Sequence, residues 1–306
     1  MYFDTHCHLN FEAFEGRVED VINEAKKVGI NKIVIPGTDV PTSKKAIEIA
    51  EKFEGVYTAV GIHPHHVFEI YNKSRSSATE FLSQRGPLHP KSVKNLISSL
   101  SSLLSNPKVV AIGEIGLDRH IYQKTKYPDY KIAEEFVELQ KQFLVEQIKL
   151  AAQYKKALIF HNREAKKDFL EVLGSTRGST PTDYHSVFHC CEPDPELLQF
   201  AKDHKMFIGV DGDITYYKEK QEWIKTVPLE MLVLETDSPF LTPQPVKLVV
   251  VDPRVDPSVI SNRQGNEPKN IPLIAEFVAK LKGISVEEVA KQTTENARRL
   301  FKISNF

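Results

Sequence analysis

Tyr2-Phe3-Asp4-Thr5-His6-Cys7-His8 opens the chain with a short β-type run that ends in two histidines two positions apart. Further apolar runs of the same kind are Lys32–Pro36, Val56–Gly61, Val109–Glu114, Ala157–His161, Tyr184–His189, Met206–Val210 and Met231–Glu235. Amphipathic stretches near residues 17–28, 41–53, 93–105, 131–154, 164–173, 194–204 and 217–226 separate them. Strand-type runs alternating with helical ones indicate parallel strands joined by crossover helices. A doubly wound open sheet often carries a Gly-rich phosphate loop after its first strand. Here His6-Cys7-His8 stands in that place. Eight strands in 306 residues is the arithmetic of an α/β fold of the (β/α)8 TIM-barrel type, predicted as one domain over residues 1–306.

After the eighth run, the tail predicts two helices between Asn270 and Phe301. Leu273, Ile274, Phe277, Val278 and Leu281 form the apolar stripe of the first, and Gly283 stops it. Ser285 caps the second, with Glu288 three residues on as a capping box, and Val286, Val289, Ala290, Ala297, Leu300 and Phe301 form its buried face. Three stretches read as loop enlargements: His66–Lys94, Gly174–Pro181 and Val246–Ser261.

Forty Lys plus Arg nearly balance 41 Asp plus Glu, for a net charge of -1. A protein that coats long duplexes by broad electrostatics is strongly basic, so that class is excluded. Local grip on a few phosphates is compatible with this balance, and near-neutrality suits a monomer with no obligate protein partner. Cys7, Cys190 and Cys191 are odd in number and two are neighbours, which argues against a disulfide framework. The first residues lack a basic segment followed by an apolar one, and no apolar run reaches about 18 residues. A cytoplasmic protein without a membrane span is the expectation.

The chemistry-bearing residues fall at the ends of the predicted strands. His6 and His8 sit on one side of an extended chain and can converge on one ion. Glu114, His161 and His189 end the fourth, fifth and sixth runs, and Asp237 follows the eighth. In a barrel these ends open onto one face, where active sites are built. A lone histidine at a strand end is usually structural; a whole group at strand ends is not a chance scatter. Mixed imidazole and carboxylate donors suit Zn, Mn, Fe or Co, with Mg possible where carboxylates and waters dominate. Glu114, between the two histidine groups, is the candidate bridge between two divalent ions, which together would activate a water for in-line displacement. Asp237 is the candidate to bind one ion and manage the proton of that water.

At these residues the sequence resembles the TatD family of metal-dependent deoxyribonucleases, within the amidohydrolase-like barrels. The matching segments are Phe3-Asp4-Thr5-His6-Cys7-His8-Leu9, Gly61-Ile62-His63-Pro64-His65, Gly113-Glu114-Ile115-Gly116-Leu117-Asp118 and Phe160-His161-Asn162-Arg163-Glu164-Ala165. They continue with Phe188-His189-Cys190, Leu234-Glu235-Thr236-Asp237-Ser238-Pro239-Phe240-Leu241, Asn266-Glu267-Pro268 and Thr294-Glu295-Asn296-Ala297. The resemblance implies that His6, His8, Glu114 and Asp237 hold one ion and that Glu114, His161 and His189 hold a second. It implies two divalent cations (Zn, Mn or Mg) and hydrolysis of DNA phosphodiesters, often as an exonuclease on single strands or ends. The chain departs from the family pattern at Asn162, where a small Ser or Cys is more usual, at Cys191-Glu192-Pro193, and in the enlarged loops that would rim the mouth.

Arg163 is a candidate to fork onto a phosphate, against a salt bridge with Glu164 or Asp168. His63 is a candidate to contact a phosphate or to donate to the leaving group, against a core histidine; His65 has already turned into the loop. Asp118 and Glu235 are candidates to orient metal-bound imidazoles, with a barrel-interior ion pair as the rival for Glu235. Cys190 and Cys191, read as neighbours in a strand, face opposite ways and serve packing. His66, His89, His120, His185 and His204 read as exposed or structural. Two rival functions remain open: a barrel hydrolase for a cyclic amide or small ester, which would often use a carbamylated lysine where Glu114 stands, and a non-catalytic metal or nucleic-acid binding protein.

Overall fold

The computed structural model describes residues 1–77, 90–127, 129–176, 185–245 and 265–304. Eight parallel strands follow one another in sequence order: β1 (Tyr2–Asp4), β2 (Ile30–Pro36), β3 (Val56–Val60), β4 (Val109–Asp118), β5 (Ala157–Arg163), β6 (Ser186–Phe188), β7 (Phe207–Val210) and β8 (Leu232–Leu234). The residues after β1 close the ring. Thr5 N–H donates to Leu234 O at 3.0 Å, Asp237 N–H to His6 O at 2.9 Å, and Cys7 pairs with Ser238 in a parallel bridge. On its other side the same run reaches β2, where Cys7 N–H donates to Val34 O at 3.1 Å. The sheet is a barrel, as predicted.

The strands are apolar on both faces because one face fills the barrel and the other meets the helices. Phe3, Val34, Ala59, Ala111, Ile159, Val187, Phe207 and Val233 contribute one inward side chain from each strand to a single buried cluster. The connecting helices are α1 (Val18–Lys27), α2 (Val40–Lys52), α3 (Val67–Ser77), α4 (Pro90–Ser101), α5 (Glu134–Tyr154), α6 (Lys166–Ser175), α7 (Pro195–Asp203) and α8 (Lys218–Thr226). Two more follow β8, α9 (Ile271–Lys282) and α10 (Val286–Phe301). Ala297, Leu300 and Phe301 of α10 join the inner cluster, with the Phe301 ring 5.9 Å from that of Phe3. This helix stoppers the barrel at the end opposite the strand C-termini.

Local chemistry sets the helix boundaries. Asp39 accepts from Thr42 N–H at 2.8 Å and Asp194 from Leu197 N–H at 3.0 Å, each followed by a proline in the first turn. Gly283 ends α9 at φ 67°, and Ser285 accepts from Glu288 N–H at 3.1 Å, one half of the predicted capping box. The buried face of α9 is Ile271, Ile274, Ala275 and Val278, so Leu273, Phe277 and Leu281 are only half-buried.

Three expectations need correction. The stretch predicted as a loop from His66 to Lys94 begins with α3, which buries Val67, Phe68 and Tyr71, and ends in α4, whose first residue is Pro90. Residues 78–89, including His89, lie outside the described residues, as does most of the Gly174–Pro181 stretch and all of Val246–Ser261. Strand β4 does not end at Glu114 but runs on to Asp118. Lastly, Cys190 and Cys191 lie in the turn past β6, not in a strand, with Cys190 at φ 44°; all three cysteines are free thiols.

Candidate metal centre at the barrel mouth

The expected ligands reach the C-terminal mouth by separate local devices. Asp4, fully buried at the end of β1, accepts from His6 N–H at 3.2 Å and Thr236 N–H at 3.0 Å, and Thr236 Oγ1 donates to its other oxygen at 2.6 Å. That knot ties the ends of β1 and β8 together and so sets His6 beside Asp237. Burial raises the Asp4 carboxyl to about 8 against the pull of those hydrogen bonds. Asn266 Nδ2 donates to Thr236 O at 2.8 Å and anchors the same corner to the tail.

Glu114 enters through a β-bulge. Ile112 pairs with Leu158 and Ile115 with Phe160, so Gly113 and Glu114 together face one residue of β5, Ile159. A Cβ at Gly113 would sit 2.6 Å from the Ile159 side chain. Only glycine allows the strand to bulge there, and the bulge explains how a residue in mid-strand aims into the mouth. Farther on, Gly116 pairs with His161, and a Cβ at Gly116 would lie 1.7 Å from His161 O.

The side chains form two groups that share Glu114. In the first, His6 Nε2 and His8 Nε2 are 3.1 Å apart. Glu114 Oε2 is 3.4 Å from His6 Nε2 and 3.7 Å from His8 Nε2, and Asp237 Oδ1 is 3.7 and 3.4 Å from the same nitrogens. Four donors at about 2.0–2.1 Å from a common centre would be separated by about 3.3–3.4 Å in a tetrahedron. The observed separations fit a divalent cation. In the second group, Glu114 Oε1 faces His161 Nδ1 at 2.9 Å, His63 Nε2 at 3.5 Å and His189 Nε2 at 3.8 Å. His189 also leans to the first group, with Nε2 3.6 Å from Asp237 Oδ1 and its ring stacked on His6 at 3.5 Å.

Charge and burial act together here. Burial depresses His6, His8 (to about 4) and His63, so these stand as neutral donors. It works equally against protonation of His161 and His189, but nearby carboxylates outweigh it and raise them to about 9 and about 10. Burial alone would raise Glu114; the surrounding histidines override it and hold the carboxyl well below its usual range. Burial pushes Asp237 up to about 7, with His189 and His6 opposing. The carboxylates thus already demand positive charge at this spot, and a bound cation would take over from the imidazole protons.

Outer contacts fix the histidines. Asp118 Oδ2 lies 3.1 Å from His161 Nε2 and accepts from the Tyr122 hydroxyl at 2.7 Å. Gln140 of α5 clasps the Asp118 backbone through both amide atoms, at 2.8 and 3.0 Å. Glu235 Oε1 contacts His189 Nδ1 at 3.0 Å and accepts from Cys190 N–H at 2.7 Å. Both residues stand where an orienting carboxylate was expected. Sequence reasoning missed Tyr122 and Phe11, whose ring stacks on His8 at 4.3 Å. Apart from aromatic composition in the adjoining loops, no signal marked them.

Other candidates sort as follows. His63 lies three residues beyond β3 and joins the second group rather than standing apart from it. The Arg163 guanidinium lies over the Tyr122 ring, 5.3 Å from its centre. The rival ion pairs are taken differently: Asp168 by Arg119 and Lys141, Glu164 by His120. His65 is buried with Nε2 2.9 Å from Thr125 Oγ1, and His66 bridges Tyr127 and Thr38 at 2.6 and 3.1 Å, a structural role. His204 bonds Phe200 O at 2.8 Å, and His185 is half-buried. Beneath Cys190, the buried Lys220 ammonium sits 2.9 Å from Asp211 Oδ2 and 2.7 Å from Asp213 Oδ1, the second contact lying outside hydrogen-bonding angles. Burial would raise Asp211, but Lys220 holds it below the carboxylate range.

A parallel barrel with five histidines and two carboxylates gathered at its mouth has the architecture of a metal-dependent hydrolase. The comparisons agree. The model of the family described as TatD related DNase matches residues 3–302. The uncharacterized metal-dependent hydrolase YabD of Bacillus subtilis is 31% identical over 306 residues, covering 99% of this chain and 100% of that protein. Deoxyribonuclease TATDN3 of Homo sapiens is 29% identical, covering 97% of this chain and 93% of its own length. The crystal structure of YjjV, a TatD homolog from Escherichia coli, superposes with a TM-score of 0.72 at 25% identity, covering 99% of this chain and 98% of that one. The chain belongs to the TatD family of metal-dependent hydrolases. No helix among the described residues is long and apolar enough to cross a membrane.

Proposed function

We propose that this chain is a two-metal phosphodiesterase that cleaves DNA, acting on single strands or ends as an exonuclease, with the whole barrel working as one unit. The observation that carries the reading is Glu114, whose two oxygens face two different histidine groups. His6, His8, Glu114 and Asp237 would hold one divalent cation, and Glu114, His161 and His189 the other, with His63 beside them. When bound, such ions lower the pKa of a water and neutralise charge building on a phosphate. Asp237 takes the proton of the attacking water, Arg163 and His63 hold the phosphate oxygens, and Asp118 and Glu235 keep the histidine rings aimed. The water oxygen bonds phosphorus as the bond to the leaving sugar oxygen breaks, and that oxygen takes a proton from solvent. The curated relatives named deoxyribonucleases favour DNA as the substrate.

The test is cleavage of a labelled oligonucleotide in Mg, Mn or Zn, with a panel of cyclic amides and small esters alongside and metal content measured on the same sample. The expected result is stepwise shortening of the oligonucleotide, lost in Glu114→Gln. Turnover of amides or esters with an intact oligonucleotide would move the chain to the rival barrel hydrolases, and tight DNA binding without cleavage would make it a binding protein. Glu114 occupies the position where those amide hydrolases would often carry a modified lysine, which favours the nuclease.

A further inference from the structure

The connection from β4 to α5 leaves the mouth beside the second histidine group, and its described residues border an open cleft of about 570 Å³. That volume lies within the roughly 300–1,000 Å³ of pockets that receive small-molecule-sized groups. Tyr122, Tyr127 and Tyr130 form its wall, and Gln123, Lys124 and Asp129 bring polar, exposed groups to its rim. The wall is braced from behind. The buried His65 ring sits 4.8, 5.1 and 4.6 Å from the rings of Tyr122, Tyr127 and Tyr130, and Tyr130 lies 4.7 Å from Phe68. The link to the centre is one side chain long, because the Tyr122 hydroxyl bonds Asp118, which touches His161. Arg163 lies over Tyr122 on the same side.

Resting on the phosphodiesterase reading, we propose that this cleft is a nucleotide subsite that seats the base next to the scissile phosphate. A base is flat and aromatic, with donors and acceptors around its edge. Tyr130, the half-buried ring of a wall in which Tyr122 and Tyr127 are buried, offers it a face, and Gln123 and Asp129 offer its edge both donors and acceptors. Lys124 at the rim meets the next phosphate along the strand, while Arg163 faces the scissile one. The subsite tells nucleotide diesters from simple phosphodiesters, a distinction the two histidine groups do not make.

Two readouts test the subsite. The first is the Kd of a fluorescein-labelled single-stranded oligonucleotide, measured by anisotropy in EDTA so that cleavage plays no part. The second is the ratio of kcat/KM for thymidine 5′-(4-nitrophenyl phosphate) to that for methyl 4-nitrophenyl phosphate. In Tyr130→Ala the Kd is expected to rise and the ratio to fall by about 5- to 10-fold, the loss of one stacked base. Tyr130→Phe should keep both near the parent values, and Lys124→Glu, a change at an exposed position, should raise the Kd without disturbing the wall. A parent that cleaves both diesters equally well, or variants that leave Kd and ratio unchanged, overturns the subsite and spares the phosphodiesterase. A parent that cleaves neither diester and no oligonucleotide overturns both.

Discussion

Lys220→Met is expected to destabilise the chain by about 3 kcal/mol, and the structure says why. Lys220 is 1% exposed and pairs with Asp211 at 0%, while burial and the neighbouring Asp211 push the carboxyl of its second partner, Asp213, well above the usual carboxylate range. Removing one partner of a buried pair leaves an uncompensated charge, at about 3–5 kcal/mol. Asp213, shifted toward its neutral form, adds no second stranded charge, and the methionine stem fills the lysine's path, which together place the loss at the lower end. At about 2 °C per kcal/mol for a chain of this size, the melting temperature should fall by about 6 °C. Differential scanning fluorimetry and urea titration of metal-depleted protein at neutral pH would measure it. The same experiment on Lys220→Met with Asp211→Asn should recover at least half of the loss, because the stranded charge has gone. A single-variant loss under about 1 kcal/mol, or a double variant no better than the single, would refute the account of the cluster as a buried charge balance.

Three further outcomes follow from the centre. Glu235→Gln removes the anionic contact to His189 Nδ1 and should weaken metal affinity about 10- to 100-fold, as read by competition with a chromogenic chelator; in EDTA the buried His189 also loses its charge partner, so the melting temperature should fall. Gly116→Ala places a methyl group against His161 O and should cost more than about 2 kcal/mol, with loss of the metal bound through His161; wild-type stability in denaturant would contradict the close approach. Adding Zn or Mn at about 100 times its Kd should stabilise the protein by about 2.7 kcal/mol, and Glu114→Gln should lose most of that gain; an equal gain in both would remove Glu114 from the ligand set.

The barrel was legible because parallel strands buried on both faces are short apolar runs, and their spacing in the sequence is the spacing of the βα units. The donors were legible for a related reason: the strand ends share one face, so His6, Glu114, His161, His189 and Asp237 meet although they lie far apart in sequence. Strand lengths were harder to read. β1 proper stops at Asp4, although Thr5–His8 goes on bonding to the β2 side and the β8 side, and β4 is long because a bulge at Gly113–Glu114 lets it continue. Helix α3 escaped notice because its Lys, Ser and Arg content masked the apolar pattern of Val67, Phe68 and Tyr71. Tyr122 escaped for another reason. Its importance comes from contact with Asp118 in space, and a tyrosine in a polar loop announces nothing about what it will touch.

Helix α10 gives the molecule a dead end. With Leu300 and Phe301 lodged beneath the inner side chains, nothing can pass through the barrel axis. Whatever reaches the histidines must back out by the route it entered, and each released fragment competes with the next arrival for a shared doorway. On the proposed nuclease reading, a strand cannot be threaded through such a chamber and must present a terminus or lie across the opening.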